Sequence, residues 1–242
     1  MRTVIAAVLC VFASPLASQT PRIEDNSFLV EEAYNQERGV VQHISTWQRS
    51  LHAAAWDFSF TQEWPLASQQ HQLSYTLLLG STRSGTEFGG IGLNYRYQLL
   101  PADSRVAVSP RISALVPARR EHLGAQFVVP VSIRVGSAFV AHANGGVTAT
   151  TRATTLYNLG GSVIWLARST FNVLCEVAWA EERGATVMLV NPGVRWAHNF
   201  ASGLQIVPGL AYTYGVGPSH GVRGAFLYLS FEHPFGGASQ PD

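Results

Sequence analysis

The feature that most constrains the fold is an alternation of residue types that runs through most of the chain. Across 41–235, apolar residues alternate with small or polar residues for about ten positions at a time, until turn residues interrupt. In the clearest stretch, 90–99, Ile91 and Leu93 belong to one face and Asn94 to the other. Period-two alternation places successive side chains on opposite faces of a β-sheet. The sequence therefore predicts an all-β protein.

The interruptions divide this region into about twelve strands. A repeat of roughly sixteen residues suits a transmembrane strand of about 9–11 residues followed by a short connection. Ten strands remain an alternative, because the first, second and seventh strands have the weakest pattern. Four prolines, Pro110, Pro130, Pro192 and Pro208, lie within predicted strands and predict bulges or strand ends. The predicted strands are 41–48, 51–63, 70–80, 87–100, 104–116, 123–135, 137–148, 155–167, 170–181, 185–197, 203–214 and 222–235.

Composition favours a membrane barrel over a soluble β domain, which is the alternative. Only 13% of the 242 residues are charged and 47% are hydrophobic, whereas a soluble domain carries about 25% charged residues. A lipid-facing sheet must pair every backbone group, so it has to close on itself. We therefore expect a transmembrane antiparallel β-barrel. The net charge of +1 argues against a nucleic-acid partner, and no apolar run after the N-terminus is long enough for a membrane helix.

The N-terminus predicts export. Arg2 precedes an apolar run at 4–13 and small residues at 14–18, the order found in secretory signal peptides. Cleavage is expected after Ala17 or Ser18. The predicted organisation is a signal peptide at 1–18, an N-terminal periplasmic segment at 19–40, a barrel at 41–235 and a tail at 236–242. The expected location is the outer membrane after cleavage, with its lipids and the assembly machinery for such barrels as partners.

Three stretches carry a resemblance to a known group of proteins. The stretches 23–36, 100–105 and 165–173 resemble Gram-negative outer-membrane barrels that are described as transporter-like, or as related to the "MetA-pathway of phenol degradation" family. The resemblance covers most of the mature chain. It implies an outer-membrane channel or uptake barrel, and it is the sole basis for expecting a hydrophobic or aromatic solute. It implies no catalytic residue.

Charged side chains on the inner face are the best site candidates. A lumenal charge either lines a water path, where it acts in a selectivity constriction, or braces the barrel through an ion pair. A barrel of about twelve strands is narrow, because diameter grows with strand number, so we expect a narrow or gated pore. By alternation, the lumen-lining candidates are Asp57, Glu63, Arg96, Arg105, Arg111, Arg134, Glu176, Arg195 and Glu232.

The segment before the first strand is acidic. Asn26 or Ser27 could cap a short helix that starts near Phe28. We predict that this segment is a plug whose carboxylates meet the lumenal arginines; a flexible leader is the alternative. The five acids of the possible plug are Glu24, Asp25, Glu31, Glu32 and Glu37.

The sequence thus predicts a channel for passive passage of a small solute. A closed structural or surface-interaction barrel is the alternative, and an outer-membrane lipid hydrolase is a remote one. Ser219 and His220 are adjacent, so they do not form a natural catalytic pair, and no histidine shows recognisable nucleophile–base spacing. We expect no enzyme activity. Because histidines and cysteines are scattered, we also expect no metal site and no cofactor.

Overall fold

The structure is a computed structural model of the chain. It describes residues 23, 27–82, 85–101, 103–118, 123–151, 155–182 and 184–235. The predicted signal peptide at 1–18 and the predicted tail at 236–242 lie outside the described residues. Within the described part, the one helix is a single 3-10 turn at Gly217–Ser219, and no helix is long and apolar enough to cross a membrane.

Almost all of the described chain between residues 40 and 234 is β-strand. The strands are β1 (Val40–Ser50), β2 (Trp56–Leu66), β3 (Ser68–Thr82), β4 (Gly85–Tyr97), β5 (Val106–Val108), β6 (Arg111–Pro117), β7 (Gly124–Val135), β8 (Phe139–Thr150), β9 (Leu156–Arg168), β10 (Phe171–Glu182), β11 (Ala185–Trp196), β12 (His198–Asn199), β13 (Gln205–Gly215) and β14 (Arg223–Pro234).

These strands form one closed antiparallel barrel. Strands that follow one another in the chain pair side by side, and β5 and β6 share one position in the wall, as do β11 and β12. The barrel closes where β1 pairs with β14, in a register that runs from Val40↔Pro234 to Ser50↔Gly224. The wall therefore has 12 positions. The prediction of about twelve strands is confirmed, and the alternative of ten is wrong.

The prolines explain where the strand bounds differ from prediction. The predicted strand 104–116 is divided at Pro110, between β5 and β6. Pro130, Pro192 and Pro208 stay within continuous strands, so the bulges or strand ends predicted for them are wrong. Each of these three faces a gap in the pairing with one neighbouring strand. A proline fits at such a gap because it has no N–H to donate.

The two faces of the wall have opposite character. On the outer face Leu93, Ile112 and Leu159 are 55%, 57% and 58% exposed, within a larger apolar surface. On the inner face Gln42 and Asn191 are fully buried. A soluble protein rarely exposes contiguous apolar surface on this scale, whereas a membrane barrel is apolar outside and polar inside. The arrangement confirms the predicted membrane-barrel fold.

We name the ends of the barrel by the strands found there. The terminal end is where β1 begins and β14 ends; the far end is where β1 ends and β14 begins. The connection between β1 and β2, residues 51–55, lies at the far end. Its residues 51–55 were predicted as strand. Instead they form a turn in which Ala53 N donates to Ser50 Oγ (3.0 Å), so β2 begins only at Trp56.

Candidate functional site

Residues 27–39, which we call the lumen segment, lie inside the barrel. Ser27 Oγ is 2.7 Å from Ser162 Oγ of β9, and Gln36 N donates to Gln72 Oε1 of β3 (2.8 Å). The helix predicted from Phe28 is wrong, because residues 27–39 contain bends and a turn but no helix. Its amides bond to wall side chains instead of to carbonyls within a helix.

A buried carboxylate of the wall holds the innermost part of the lumen segment. Glu176 Oε1 on β10 accepts hydrogen bonds from Leu29 N (2.8 Å) and Val30 N (3.1 Å). Its second oxygen accepts from Asn191 Nδ2 of β11 (2.8 Å). Hydrogen bonds to a charged group are stronger than neutral ones. Glu176 therefore fixes the backbone at the point where the segment reaches the middle of the lumen.

Phe28 fills an aromatic slot in the wall. Its ring lies 5.4 Å from that of Phe226 and 5.3 Å from that of Tyr228, measured between centroids, and only 8% of Phe28 is exposed. Two glycines make room for it: a Cβ on Gly193 or Gly209 would come within 2.6 Å of the ring. Burying a phenylalanine stabilises by about 1.5–3 kcal/mol, so this slot is a main anchor of the segment.

The second anchor is an arginine pair. Arg96 of β4 and Arg111 of β6 are directly opposite each other in the sheet register. Like charges in that position destabilise a sheet. Glu31 of the lumen segment lies between them: Arg111 Nη2 donates to Oε1 (2.6 Å), Arg111 Nε to Oε2 (3.0 Å) and Arg96 Nη2 to Oε2 (3.0 Å). The carboxylate thus bridges two adjacent guanidiniums and offsets one of their two positive charges.

Neighbouring amides fix the arginine pair in place. Arg111 Nη1 donates to Asn94 Oδ1 (3.0 Å) and Arg111 Nη2 to Gln126 Oε1 (2.8 Å). Asn144 on β8, with its amide nitrogen turned towards the Glu31 carbonyl, donates to that carbonyl (2.9 Å) and accepts from Glu31 N (2.7 Å). Burial raises the pKa of the Glu31 carboxyl, but the two guanidiniums lower it by more, so the pKa is below its usual value.

The other lumen-lining candidates are spread along the barrel. Glu63 is buried and accepts from Gln72 Nε2 (2.8 Å), and Glu232 accepts from Gln42 Nε2 (2.8 Å). Arg195 is buried. The structure therefore brings Arg96, Arg111 and Glu31 together. The other three candidates, Glu63, Glu232 and Arg195, lie elsewhere in the wall.

Three candidates lie towards the ends of the barrel. The Arg134 guanidinium lies 4.5 Å above the Tyr34 ring at the terminal end, and Asp57 is exposed in a cavity at the far end. The inward position of Arg105 stays a prediction. Arg105 directly precedes β5 and is exposed; its carbonyl accepts from Arg134 N (2.9 Å), and its Nε donates to the Arg134 carbonyl (3.0 Å).

The predicted plug acids have different environments. Glu31 lies between the arginines, Glu32 is 5% exposed within the barrel, and Glu37 is exposed at the terminal end. Glu24 and Asp25 lie outside the described residues.

The lumen segment separates cavities in the lumen. A cavity of about 840 Å³ lies at the far end and one of about 770 Å³ at the terminal end. Between them, a cavity of about 170 Å³ is bordered by 27–31 and by both arginines. Glu31 borders this middle cavity, whereas the next residue, Glu32, borders the terminal-end cavity. The segment is therefore the partition between the two sides.

The adjacent serine and histidine considered from the sequence do not form a catalytic pair, and the described part of the chain contains no metal-binding cluster. Ser219 Oγ accepts from Met188 N (2.9 Å), and His220 is exposed. No group of three or more His, Cys, Asp or Glu residues among the described positions is arranged to hold a metal ion.

Sequence reasoning missed the uncharged half of the site. Phe28 was considered only as the start of a helix, and its slot glycines were not singled out. The polar residues that bind the segment backbone, such as Gln72 and Ser132, are on the inner face by the same alternation that identified the charged candidates. Choosing all polar inward positions, rather than only charged ones, would have found them.

Comparison with known proteins supports the fold. The sequence matches no family model and no curated protein. Solved structures do match. This chain has the fold of outer-membrane channels. A COG4313 outer membrane channel from Pseudomonas putida F1 aligns with a TM-score of 0.59 at 11% identity, over 84% of this chain and 98% of that chain.

Two porins give similar alignments. The KdgM porin aligns with a TM-score of 0.57 at 8% identity, and the NanC porin with a TM-score of 0.57 at 10% identity; each alignment covers 81% of this chain and 99% of the other. Another KdgM structure is described as a complex with disordered oligogalacturonate. Identities this low establish likeness of fold alone. The specific MetA-related group is not confirmed.

Proposed function

We propose that this chain is an outer-membrane channel for the passive passage of a small solute, and that the lumen segment is its plug. The observation that carries the proposal is the partition: residues 27–39 separate two large cavities and are held by side chains of the wall. A segment bonded through Phe28 and Glu31 can be released without unpairing any strand of the wall. Releasing it would join the cavities into a water path.

The proposed location follows from the surface of the barrel. Its exposed apolar outer face requires a hydrocarbon environment, and the sequence begins with features of an export signal. Polar side chains border both large cavities, so a concentration gradient is sufficient to drive a small solute through the open form. Phe28 and Tyr228 beside the middle cavity, and Phe226 beside the far-end cavity, also support a hydrophobic or aromatic solute.

Single-channel recording in a planar bilayer tests this proposal. Refolded protein should give discrete current steps. Changing Arg96→Ala or Arg111→Ala should shift the ion preference of the open channel towards cations, because a positive charge leaves the narrowest region. Arg105→Ala is the matched control, since this arginine is exposed at the terminal end of the barrel, away from the arginine pair. Silence from protein shown to be folded would contradict the channel and favour the closed structural barrel.

The pH dependence of channel opening follows from Glu31. Its pKa is below the usual value when the plug is in place and returns to about 4.3 when the segment is in water. A group with a depressed pKa stabilises the bound state above its ordinary pKa and ceases to do so as pH falls through the depressed value. Open probability should therefore stay constant from pH 7 to about 5 and rise at lower pH.

Recording the same channels at stepped pH checks this expectation. Glu31→Gln removes the titrating group but keeps the shape of the side chain, so its open probability should be high already at pH 7. Its open probability should also change less on acidification than that of wild type. If wild type and Glu31→Gln give the same pH profile, Glu31 does not control the plug.

A further inference from the structure

The wall around Glu31 has the construction of a binding site for carboxylates. Arg96 and Arg111 are directly opposite in the β4–β6 register, and Arg111 donates hydrogen bonds to both oxygens of one carboxylate. Bidentate pairs of this kind suit carboxylates and phosphates, and the group that this site holds in the closed form is a carboxylate. All of these donors belong to the wall, whereas the carboxylate belongs to the plug. The site therefore remains when the plug leaves.

One member of the arginine pair, Arg111, is oriented by wall residues independently of the plug. Asn94 and Gln126, both wall residues, accept hydrogen bonds from Arg111 and hold its orientation. Arg96 is only 3% exposed, and its buried Nε has no hydrogen-bond partner among the described residues. A guanidinium fixed in this way keeps donor capacity for a further acceptor.

Opening the plug without a replacement anion is unfavourable. When the segment leaves, Glu31 and Glu32 leave together, and two adjacent guanidiniums lose the carboxylate between them. Glu63 remains within electrostatic range of Arg96, so its carboxylate offsets one of the two positive charges and one excess positive charge is left at the pair. An uncompensated buried charge is costly. A solute that brings its own carboxylate removes this cost.

The middle cavity gives such a solute a route to the arginines. This cavity of about 170 Å³ is lined by Arg96 and Arg111 and by the rings of Phe28 and Tyr228. It shares Thr46 and Ser59 with the lining of the far-end cavity. A solute that enters from the far end therefore meets the arginine pair before it meets Glu32 and the terminal-end cavity.

We propose that the arginine pair is the solute site of the channel and that its ligand is a small organic carboxylate, which takes the place of Glu31 and thereby releases the plug. This inference rests on the proposed function, because it assigns the solute class and the opening signal of that channel. The exchange replaces one carboxylate by another between the same two guanidiniums. Plug and solute therefore compete for one site.

The first test compares two probes of the same shape. Benzoate and its neutral analogue benzamide are added in turn to the far-end side of channels formed by the full chain. A charge-assisted carboxylate contact is about 1.5–3 kcal/mol, so benzoate should raise open probability by about tenfold or more, and benzamide should not. In Glu31→Gln, where the plug is already weakened, benzoate should have little further effect. Equal responses to benzoate and benzamide would overturn the inference.

A second test measures benzoate binding through the melting temperature of the barrel instead of through channel current. Glu31→Ala leaves the arginine pair without its carboxylate, and the melting temperature of the barrel should fall. Added benzoate should restore it, because a ligand that binds only the folded form stabilises that form, whereas benzamide should not. In the double variant Glu31→Ala and Arg111→Gln, benzoate should no longer restore it. Restoration that is equal in the two variants would also overturn the inference.

The two tests distinguish a failure of the carboxylate site from a failure of the proposed channel function. If no variant conducts, including one that lacks the plug, the channel function fails. If channels conduct and open when the plug is weakened, but neither opening nor melting responds to benzoate, the channel stands and the carboxylate site fails.

Discussion

A chain that lacks residues 22–38 should carry several-fold more current per channel than the full chain. Deletion removes the partition between the far-end and terminal-end cavities, so the conducting path becomes as wide as the wall permits. Phe28 and Glu31, the two anchors, are lost together. The current steps should be larger and the closures fewer, because the plug causes both the obstruction of the path and the closed state.

The wall does not depend on the plug for closure. The pairing of β1 with β14 runs from Val40↔Pro234 to Ser50↔Gly224 and uses no residue of the deleted segment. Folding of the deletion variant is checked by circular dichroism and by heat-dependent gel mobility before recording. Unchanged conductance from a folded deletion variant would rule out the plug. The full-length variant with Phe28→Ser and Glu31→Gln provides a second measurement in which both anchors are weakened and nothing is removed.

The wall was predictable because its rule is local. One face of each strand contacts lipid and the other faces the lumen. The polarity of each residue therefore indicates the face to which it belongs. This is why Arg96, Arg111 and Glu176 could be placed on the inner face from sequence. Strand ends were less predictable: the alternation continues through Arg105, but β5 begins only at Val106, and no local pattern marks that point.

The path of the plug was not predictable in the same way. Its acidity suggested contact with lumenal arginines, and Glu31 does make that contact. Its conformation, however, is set by wall residues more than sixty positions away in the chain, such as Glu176 and Ser132. A cap-like residue before Phe28 suggested a helix, but these distant acceptors bond the segment's amides in a non-helical form. Tertiary contacts override weak local preference.

Gly209→Ala, a substitution in the wall, should expel the plug although no residue of the plug is changed. A Cβ at this position would be 2.6 Å from two ring carbons of Phe28, whereas its nearest wall atom, Arg195 Cβ, is 3.3 Å away. The clash therefore falls on the plug. Overpacking costs about 1–3 kcal/mol, which corresponds to a rise in the ratio of open to closed channels of about fivefold to 150-fold.

Two comparisons make this test specific to the slot. Gly92→Ala adds the same methyl group to β4, where the nearest atoms are at least 3.7 Å away, so its open probability should match wild type. Phe28→Ala removes the ring that Gly209→Ala would strike, so the double variant should open no more than Phe28→Ala alone. Residues in direct contact give such non-additive effects, whereas distant sites add. Additive opening would mean that Gly209→Ala acts elsewhere in the wall and that Phe28 is not the anchor of the closed state.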